Sequence, residues 1–242
     1  MGSKIRLDKY LADMSFGTRT EVKQLIKKGF ISVNGVVIKK PEVKVDHTDQ
    51  VVVSGKEVIY HEFEYFMLNK PSGVVSATED NLHKTVIELI DSNRKDLFPV
   101  GRLDIDTEGL LLITNDGELA HDLLSPKKHI SKTYYAKIDG YVTEKEKIAF
   151  QEGLDLGDFF TKPAELKVLS AQEGEQKCSE IEVTIYEGKF HQVKRMFEAV
   201  GMKVTYLKRI SMGTLNLDPA LELGEARPLS KEEVEQLKKK RS

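Results

Sequence analysis

Cysteine and tryptophan are nearly absent: the 242 residues include a single cysteine, Cys178, and no tryptophan. One cysteine excludes an internal disulfide framework and a cysteine-ligated zinc centre, and it suits a reducing compartment. Also missing is any run near the roughly 18 apolar residues of a membrane helix. Met1-Gly2-Ser3-Lys4 lacks the apolar core of a secretory signal. These absences predict a cytoplasmic protein with no membrane partner and no cysteine-based metal site. A large excess of one charge is lacking too, since the net charge is -2, which argues against nucleic-acid binding by the total field. What remains is an ordinary globular composition, 40% hydrophobic, long enough for one large domain or a small and a medium one.

Charge is unevenly distributed. Residues 1–60 hold 11 Lys and Arg against 7 Asp and Glu, whereas residues 61–242 hold 26 against 32. That asymmetry fits a small basic binding module joined to a larger domain. In the first part Ile5, Leu7, Tyr10 and Leu11 recur at helical spacing, and Thr18 or Thr20 can cap a second helix through Lys28, which Gly29 ends. Arg19, Lys23 and Lys27 share one face of that helix; it is either a solvated surface or a track for phosphates. Phe30–Ile38 then reads as a hairpin about Asn34-Gly35, and Val51-Val52-Val53 as a further strand. Through Arg6-Leu7-Asp8-Lys9-Tyr10-Leu11, Arg19-Thr20-Glu21-Val22 and Val33-Asn34-Gly35, the segment from about Ile5 to Tyr60 resembles an S4 domain, a small RNA-binding module. The resemblance implies that Arg6, Arg19, Lys23 and Lys27 contact RNA.

Tyr60–Glu64 reads as a short connector between a domain over 1–60 and another over 61–242. Beyond it, short apolar strands mix with a few helices without regular βα alternation, so the expected class is α+β with a mixed, mainly antiparallel sheet. Strands are expected at Tyr65–Leu68, Leu110–Thr114, Thr133–Ile138, Glu180–Ile185 and Val204–Ile210. Helices are expected at Thr85–Leu89, Glu118–Leu124, Glu144–Gln151, Gln192–Val200 and Lys231–Lys240, the last opened by the capping-box pair Ser230 and Glu233.

The most informative run is Pro99–Leu110, which sets Arg102, Asp104 and Asp106 on a tight turn between Leu97-Phe98-Pro99-Val100 and Leu110-Leu111-Leu112-Ile113. Charged side chains beside chain that should be buried need a reason. Gly101-Arg102-Leu103-Asp104-Ile105-Asp106-Thr107-Glu108-Gly109-Leu110 resembles the signature of pseudouridine synthases of the RsuA and RluA type. The similarity extends through Asn69-Lys70-Pro71-Ser72-Gly73, Lys132-Thr133-Tyr134-Tyr135-Ala136, Glu187–Phe197 and Arg209-Ile210-Ser211-Met212-Gly213. These five motifs and the S4-like segment cover nearly the whole chain.

The resemblance implies isomerisation of uridine within RNA, without a cofactor. It places the essential carboxylate at Asp104, the basic partner at Lys194 and the active-site tyrosine at Tyr134. A carboxylate beside the ribose can attack covalently or oppose positive charge at C1′, and an ionised one in a closed pocket needs an opposing cation. Lys194 departs from the more frequent arginine and offers a point charge without a planar fork. Arg102 resembles a residue that some relatives insert where the uridine leaves the stack; its alternative is a salt bridge to Asp104 or Asp106. Asp106 and Thr107 are expected to hold the turn by accepting backbone N–H groups, Lys70-Pro71 to fix a strand end, and His191 and Gln192 to brace the motif or touch RNA. Tyr135, facing the opposite side from Tyr134, is expected only to pack.

The Glu187–Met196 segment is closer to the RsuA branch, which implies 16S ribosomal RNA as partner, free or within an assembling small subunit, and a monomeric enzyme; 23S RNA stays open. Two readings from other classes compete. Asp104-Ile105-Asp106-Thr107 also fits the Asp-x-Asp-x-Thr pattern of haloacid dehalogenase-type phosphatases, which needs the first Asp at the end of a buried parallel strand and bound Mg2+. An S4 protein that only binds ribosomal RNA is the non-enzymatic alternative.

Overall fold

The computed structural model describes residues 4–46, 48–174 and 177–239. The chain forms two compact units, one running to Glu64 and taking in Ser92–Leu97, the other comprising Tyr65–Asp91 and the residues from Phe98 onward.

In the first unit β1 (Ile5–Arg6) leads into α1 (Leu7–Asp13), and α2 (Arg19–Lys27) is followed by β2 (Ile31–Val33), β3 (Val36–Val37), β4 (Lys44–Val45), β5 (Val51–Val53) and β6 (Lys56–Val58). Ile5, expected in the helix, instead pairs in a two-stranded ribbon with Val45. Thr18 caps α2 in a full capping box with Glu21, which satisfies N–H groups that the first helical turn leaves free. The Asn34-Gly35 hairpin has both residues at positive φ, 52° and 79°, the conformation that a two-residue hairpin turn requires. The sheet order is β3-β2-β5-β6, and Leu7, Tyr10, Leu11, Val22, Ile26, Ile31 and Val51 form a core against it. Tyr10 donates its hydroxyl to the Val58 carbonyl at 2.7 Å and stacks on Tyr60.

The expected connector is part of this unit. Arg94, almost fully buried, donates to the His61 carbonyl and grips Asp96 with two nitrogens, while Ser92 bonds Glu64 and Ser15 bonds the Asn93 carbonyl. Residues thirty positions downstream close the unit, and sequence-local patterning carries no signal for such a return.

In the second unit β7 (Tyr65–Lys70), β8 (Phe98–Pro99), β9 (Glu108–Thr114), β10 (Lys132–Asp139), β11 (Glu165–Gln172), β12 (Cys178–Ile185), β13 (Lys203–Met212), β14 (Leu215–Asn216) and β15 (Ala226–Pro228) build one sheet. Its order is β11-β12-β10-β13-β9-β7-β15, with β8 on β9 and β14 on β13. Every pairing is antiparallel except β13 with β9. The expected α+β class and mixed sheet are what is found. The helices are α3 (Gly117–Leu124), α4 (Glu144–Glu152), α5 (Gln192–Ala199) and α6 (Lys231–Lys238). Lys240, included in the expected last helix, lies outside the described residues. The helix expected at Thr85–Leu89 is reduced to a 3₁₀ turn over Ile87–Leu89, because Thr85 forms a bridge with Val75. β11 was not expected; its burial is low along most of its length, so no clean alternation marks it.

The central strands β7 and β9 are buried on both faces, whereas β10 and β12 bury one. Lys132, Tyr134, Ala136 and Ile138 alternate inward on β10, with Ser179, Ile181, Val183 and Ile185 on β12. Met67, Leu110, Leu112 and Met212 pack with α3, and Phe150 of α4 meets Phe197 of α5. The parallel contact of β9 with β13 sets Gly109 opposite Arg209. A β-carbon at Gly109 would lie 2.2 Å from the Arg209 carbonyl oxygen, at a φ of +100°. Only glycine permits this approach.

Gly109→Ala is therefore expected to destabilise the protein by about 2–5 kcal/mol through overpacking and backbone strain. Gly188→Ala, where a methyl group meets open space, is expected to change it by less than about 0.5 kcal/mol. Chemical denaturation measures both.

Candidate active site

The loop between β8 and β9 leaves the sheet at Gly101, which has a φ of +78°, and folds into a turn closed by Thr107 N–H donating to the Asp104 carbonyl at 3.1 Å. Buried Val100 and Leu103 on one side and Leu110–Ile113 on the other anchor it. Three contacts fix its path: Ser76 exchanges hydrogen bonds with the Leu103 carbonyl and N–H, Gly73 N–H donates to the Ile105 carbonyl, and Lys70 reaches it from the end of β7.

Lys70 is fully buried. Its ammonium donates to the carbonyls of Pro71 (3.0 Å), Asp104 (3.1 Å), Ile105 (3.3 Å) and Thr107 (2.9 Å). Three N–H bonds are thus shared among four oxygens, the small concave surface that a turn presents when its carbonyls converge. Burial pushes the Lys70 ammonium down to about 8, against the pull of Asp106, Asp104 and Glu108. Lys70 thus does more than fix a strand end, and the signal for it in the sequence is a lysine closing the apolar strand that begins Tyr65-Phe66-Met67-Leu68.

The polar side of the turn faces the start of α5. Lys194 lies 3.2 Å from Asp104 Oδ2 and bonds Asp106 with both carboxylate oxygens, at 2.7 and 2.9 Å. His191 Nε2 is 3.6 Å from Asp104 Oδ1. Asp104 and Lys194, expected together, are brought together. Asp106 is more than a turn residue, because it holds the closer share of Lys194. The hydrogen bond from Lys194 keeps the Asp106 carboxyl below its usual range, while burial works the other way. For Lys194 burial lowers the affinity for the proton, but the two carboxylates outweigh it and the net shift is upward. Asp104 is the more enclosed carboxylate, 25% exposed against 63% for Asp106. A charged oxygen that is both partly exposed and cation-paired can act on a molecule entering from solvent.

The Thr107 hydroxyl, expected to accept a backbone N–H, is buried without a partner; the turn's bonds run through its backbone instead. Arg102 is exposed and, among the described residues, forms no ion pair with Asp104 or Asp106, since Lys194 occupies both. Gln192 braces its motif, accepting from Lys189 N–H and donating to Glu187. Tyr134 is buried on the inward face, opposite Arg209 on the next strand, and no hydrogen bond joins it to the Asp104 cluster among the described contacts. Tyr135 lies on the other face, edge-on to Tyr206. Arg209, unforeseen here, is buried with Nε on the Leu110 carbonyl. Lys132, on the same face, is pushed down to about 8 by burial and by Arg209.

In the first unit Asp8, 1% exposed, takes two bonds from Arg6 and lies 3.9 Å from Lys23. Among the described residues Arg19 and Lys27 have no ion-pair partner, so they are the freer cations of the four. The phosphatase reading fails on geometry: Asp104 sits in a turn and not at the end of a parallel strand.

Because the Lys70 proton is held less tightly in the folded state than at its ordinary 10.5, burial of the charge costs stability fully below pH 8, and that cost is relieved as pH rises toward 10.5. Lys70→Met is expected to cost about 2–4 kcal/mol at pH 7 by leaving buried carbonyls unpaired. In paired denaturation series, wild type should gain on this variant between pH 8 and 10.5.

A family model for RNA pseudouridylate synthase matches residues 64–199, and one for the S4 domain matches residues 5–51. An uncharacterised RNA pseudouridine synthase of Bacillus subtilis (strain 168) is 47% identical over 95% of this chain and 97% of its own. Ribosomal large subunit pseudouridine synthase B of the same organism is 42% identical over 96% of this chain and 95% of its own. Ribosomal small subunit pseudouridine synthase A of Vibrio cholerae is 43% identical over 95% of this chain and 98% of its own. A crystal structure of a pseudouridylate synthase, 38% identical, superposes with a TM-score of 0.66 and covers 96% of this chain and 99% of that one. With an S4 domain preceding a turn clamped by Lys70 and charged by Asp104, the chain belongs to the RNA pseudouridylate synthase family and is an isomerase acting on RNA.

Proposed function

We propose that this enzyme converts one uridine of small-subunit (16S) ribosomal RNA to pseudouridine in the cytoplasm, as a monomer and without a cofactor. The reaction breaks N1–C1′, turns the uracil and joins C5 to C1′; the C5 proton leaves and N1 gains one, so nothing is oxidised or transferred from outside. Asp104 is the catalytic carboxylate, its charge opposing the positive charge that grows at C1′ as uracil departs. Lys194 stands as the counter-charge to that carboxylate, and Tyr134 forms the base-side wall. The observation that carries the reading is the partly exposed Asp104 carboxylate 3.2 Å from Lys194 on a turn clamped from below.

RNA is held by the S4 surface, through Arg19 and Lys27 with Arg6 and Lys23 beside the buried Asp8, and by exposed Arg102 on the turn. The segment Phe190-His191-Gln192-Val193-Lys194-Arg195-Met196 supports the small-subunit target, as does the likeness to the Vibrio cholerae enzyme. The comparable likeness to a large-subunit enzyme makes 23S RNA the second reading.

Mapping pseudouridines in ribosomal RNA from cells with and without the protein tests the target. One 16S position should vanish; loss of a 23S position instead moves the target to the large subunit, and an unchanged map contradicts both. Asp104→Asn should release no tritium from 5-tritiated uridine in RNA while its RNA affinity stays within about threefold of wild type; retained release would remove Asp104 from the chemistry. Arg19→Glu combined with Lys27→Glu should weaken RNA binding and flatten its dependence on log salt by about two.

A further inference from the structure

The chain beside the carboxylate carries an aromatic feature that this mechanism does not use. Phe190 is 72% exposed, although a phenylalanine that projects into water forfeits the burial that ordinarily favours it. It is not a loose side chain: its ring stacks on His191 with centroids 3.8 Å apart and planes within 18°. His191 is held at φ 48°, ψ 30° as the residue opening α5, a left-handed conformation uncommon outside glycine, and Gln192 pins the preceding backbone at Lys189. The outer face of the pair is presented to solvent, and the inner ring touches Asp104 at 3.6 Å. Phe190 therefore stands one ring and one contact from the reacting centre.

The adjoining chain carries cations, which lie over a different ring. Exposed Lys189 stands 5.8 Å over the Phe159 ring, and the Arg195 guanidinium 5.2 Å over it, itself fixed by Asp158 and the Leu156 carbonyl. An exposed ring face matches an RNA base, and the exposed ammonium of the adjoining Lys189 matches a phosphate. A uridine buried in an RNA stack presents neither C1′ nor both reacting base atoms, so it has to leave the stack, at a cost of a few kcal/mol.

We propose that the stacked Phe190–His191 pair is the platform on which the RNA base next to the target uridine stacks once the uridine has turned out, so that Phe190 is a positioning residue that holds the vacated stack open. This rests on the uridine-isomerase reading and adds what receives the neighbouring base. The ring takes part in no bond making; it lowers the free energy of the extruded state.

The test uses the full-length protein and an RNA fragment carrying the mapped uridine, once base-paired and once as a single-nucleotide bulge, with 2-aminopurine as the neighbouring base. Phe190→Ala should lower kcat/KM for tritium release from the paired fragment about fivefold to a hundredfold, the range of one base–aromatic stack. On the bulged fragment, where extrusion is already favoured, the loss should shrink to less than about threefold. Phe190→Trp should restore both, and 2-aminopurine fluorescence on binding should be quenched by wild type and Phe190→Trp but not by Phe190→Ala. Equal loss on both fragments, no loss at all, or quenching that survives Phe190→Ala would overturn the proposal. The fluorescence needs no turnover, so a protein that quenches but releases no tritium would sink the reaction and leave the platform standing.

Discussion

A single buried ammonium underlies the site. Lys70 ends a strand whose side chains are otherwise core, and its position obliges it to find oxygen inside the protein, since an unpaired charge there is prohibitive. The oxygens it finds are carbonyls of the Asp104 turn. Satisfying Lys70 and shaping the turn are one event: the backbone must curl so that its carbonyls point inward. Once they do, the side chains of Asp104 and Asp106 are directed outward, toward α5. The carbonyl dipoles are engaged below, and the carboxylates are presented above.

Lys194 then completes the arrangement from a different element. It serves two carboxylates unequally, closer to the exposed Asp106 than to the more enclosed Asp104. Asp106 thereby steadies the ammonium, and Asp104 keeps a charged neighbour without being wholly consumed by it. A lysine suits this division, because a point charge with rotating donors can be shared, whereas a guanidinium paired bidentately with one carboxylate would commit to it. The close contact of Gly109 with Arg209 sets the distance between the strand that follows the turn and the strand that follows α5, so the two halves of the charge cluster are carried on neighbouring, tightly packed chain.

Much of this was legible in the sequence. The alternation on β10 and β12 and the capping residues Thr18 and Ser230 produced strands and helices close to where periodicity put them, because there local preference and burial agree. Thr85–Leu89 did not become a helix, since Thr85 pairs with Val75 and a tertiary bridge overrode a short local pattern. The charge pair of Asp104 and Lys194 was legible only through resemblance: 90 residues separate them, and no spacing rule connects a turn to a helix start that far away. Lys70 and the share Asp106 takes of Lys194 were missed for a related reason. A lysine's partners here are backbone carbonyls, which every residue possesses, so composition cannot mark them. Asp8 in the first unit shows the same limit, as it converts Arg6 and Lys23 from apparently free cations into partners of a buried carboxylate.

On the proposed reading the two aspartates of one turn have different duties, Asp104 the chemistry and Asp106 the support of Lys194. Single-turnover release of tritium from 5-tritiated uridine in ribosomal RNA, measured for Asp106→Asn beside Asp104→Asn, separates these duties most directly. The Asp106 variant is expected still to release tritium, slowed but to completion, while the Asp104 variant releases none. Release by the Asp104 variant, or complete loss in the Asp106 variant with RNA binding intact, would contradict that reading.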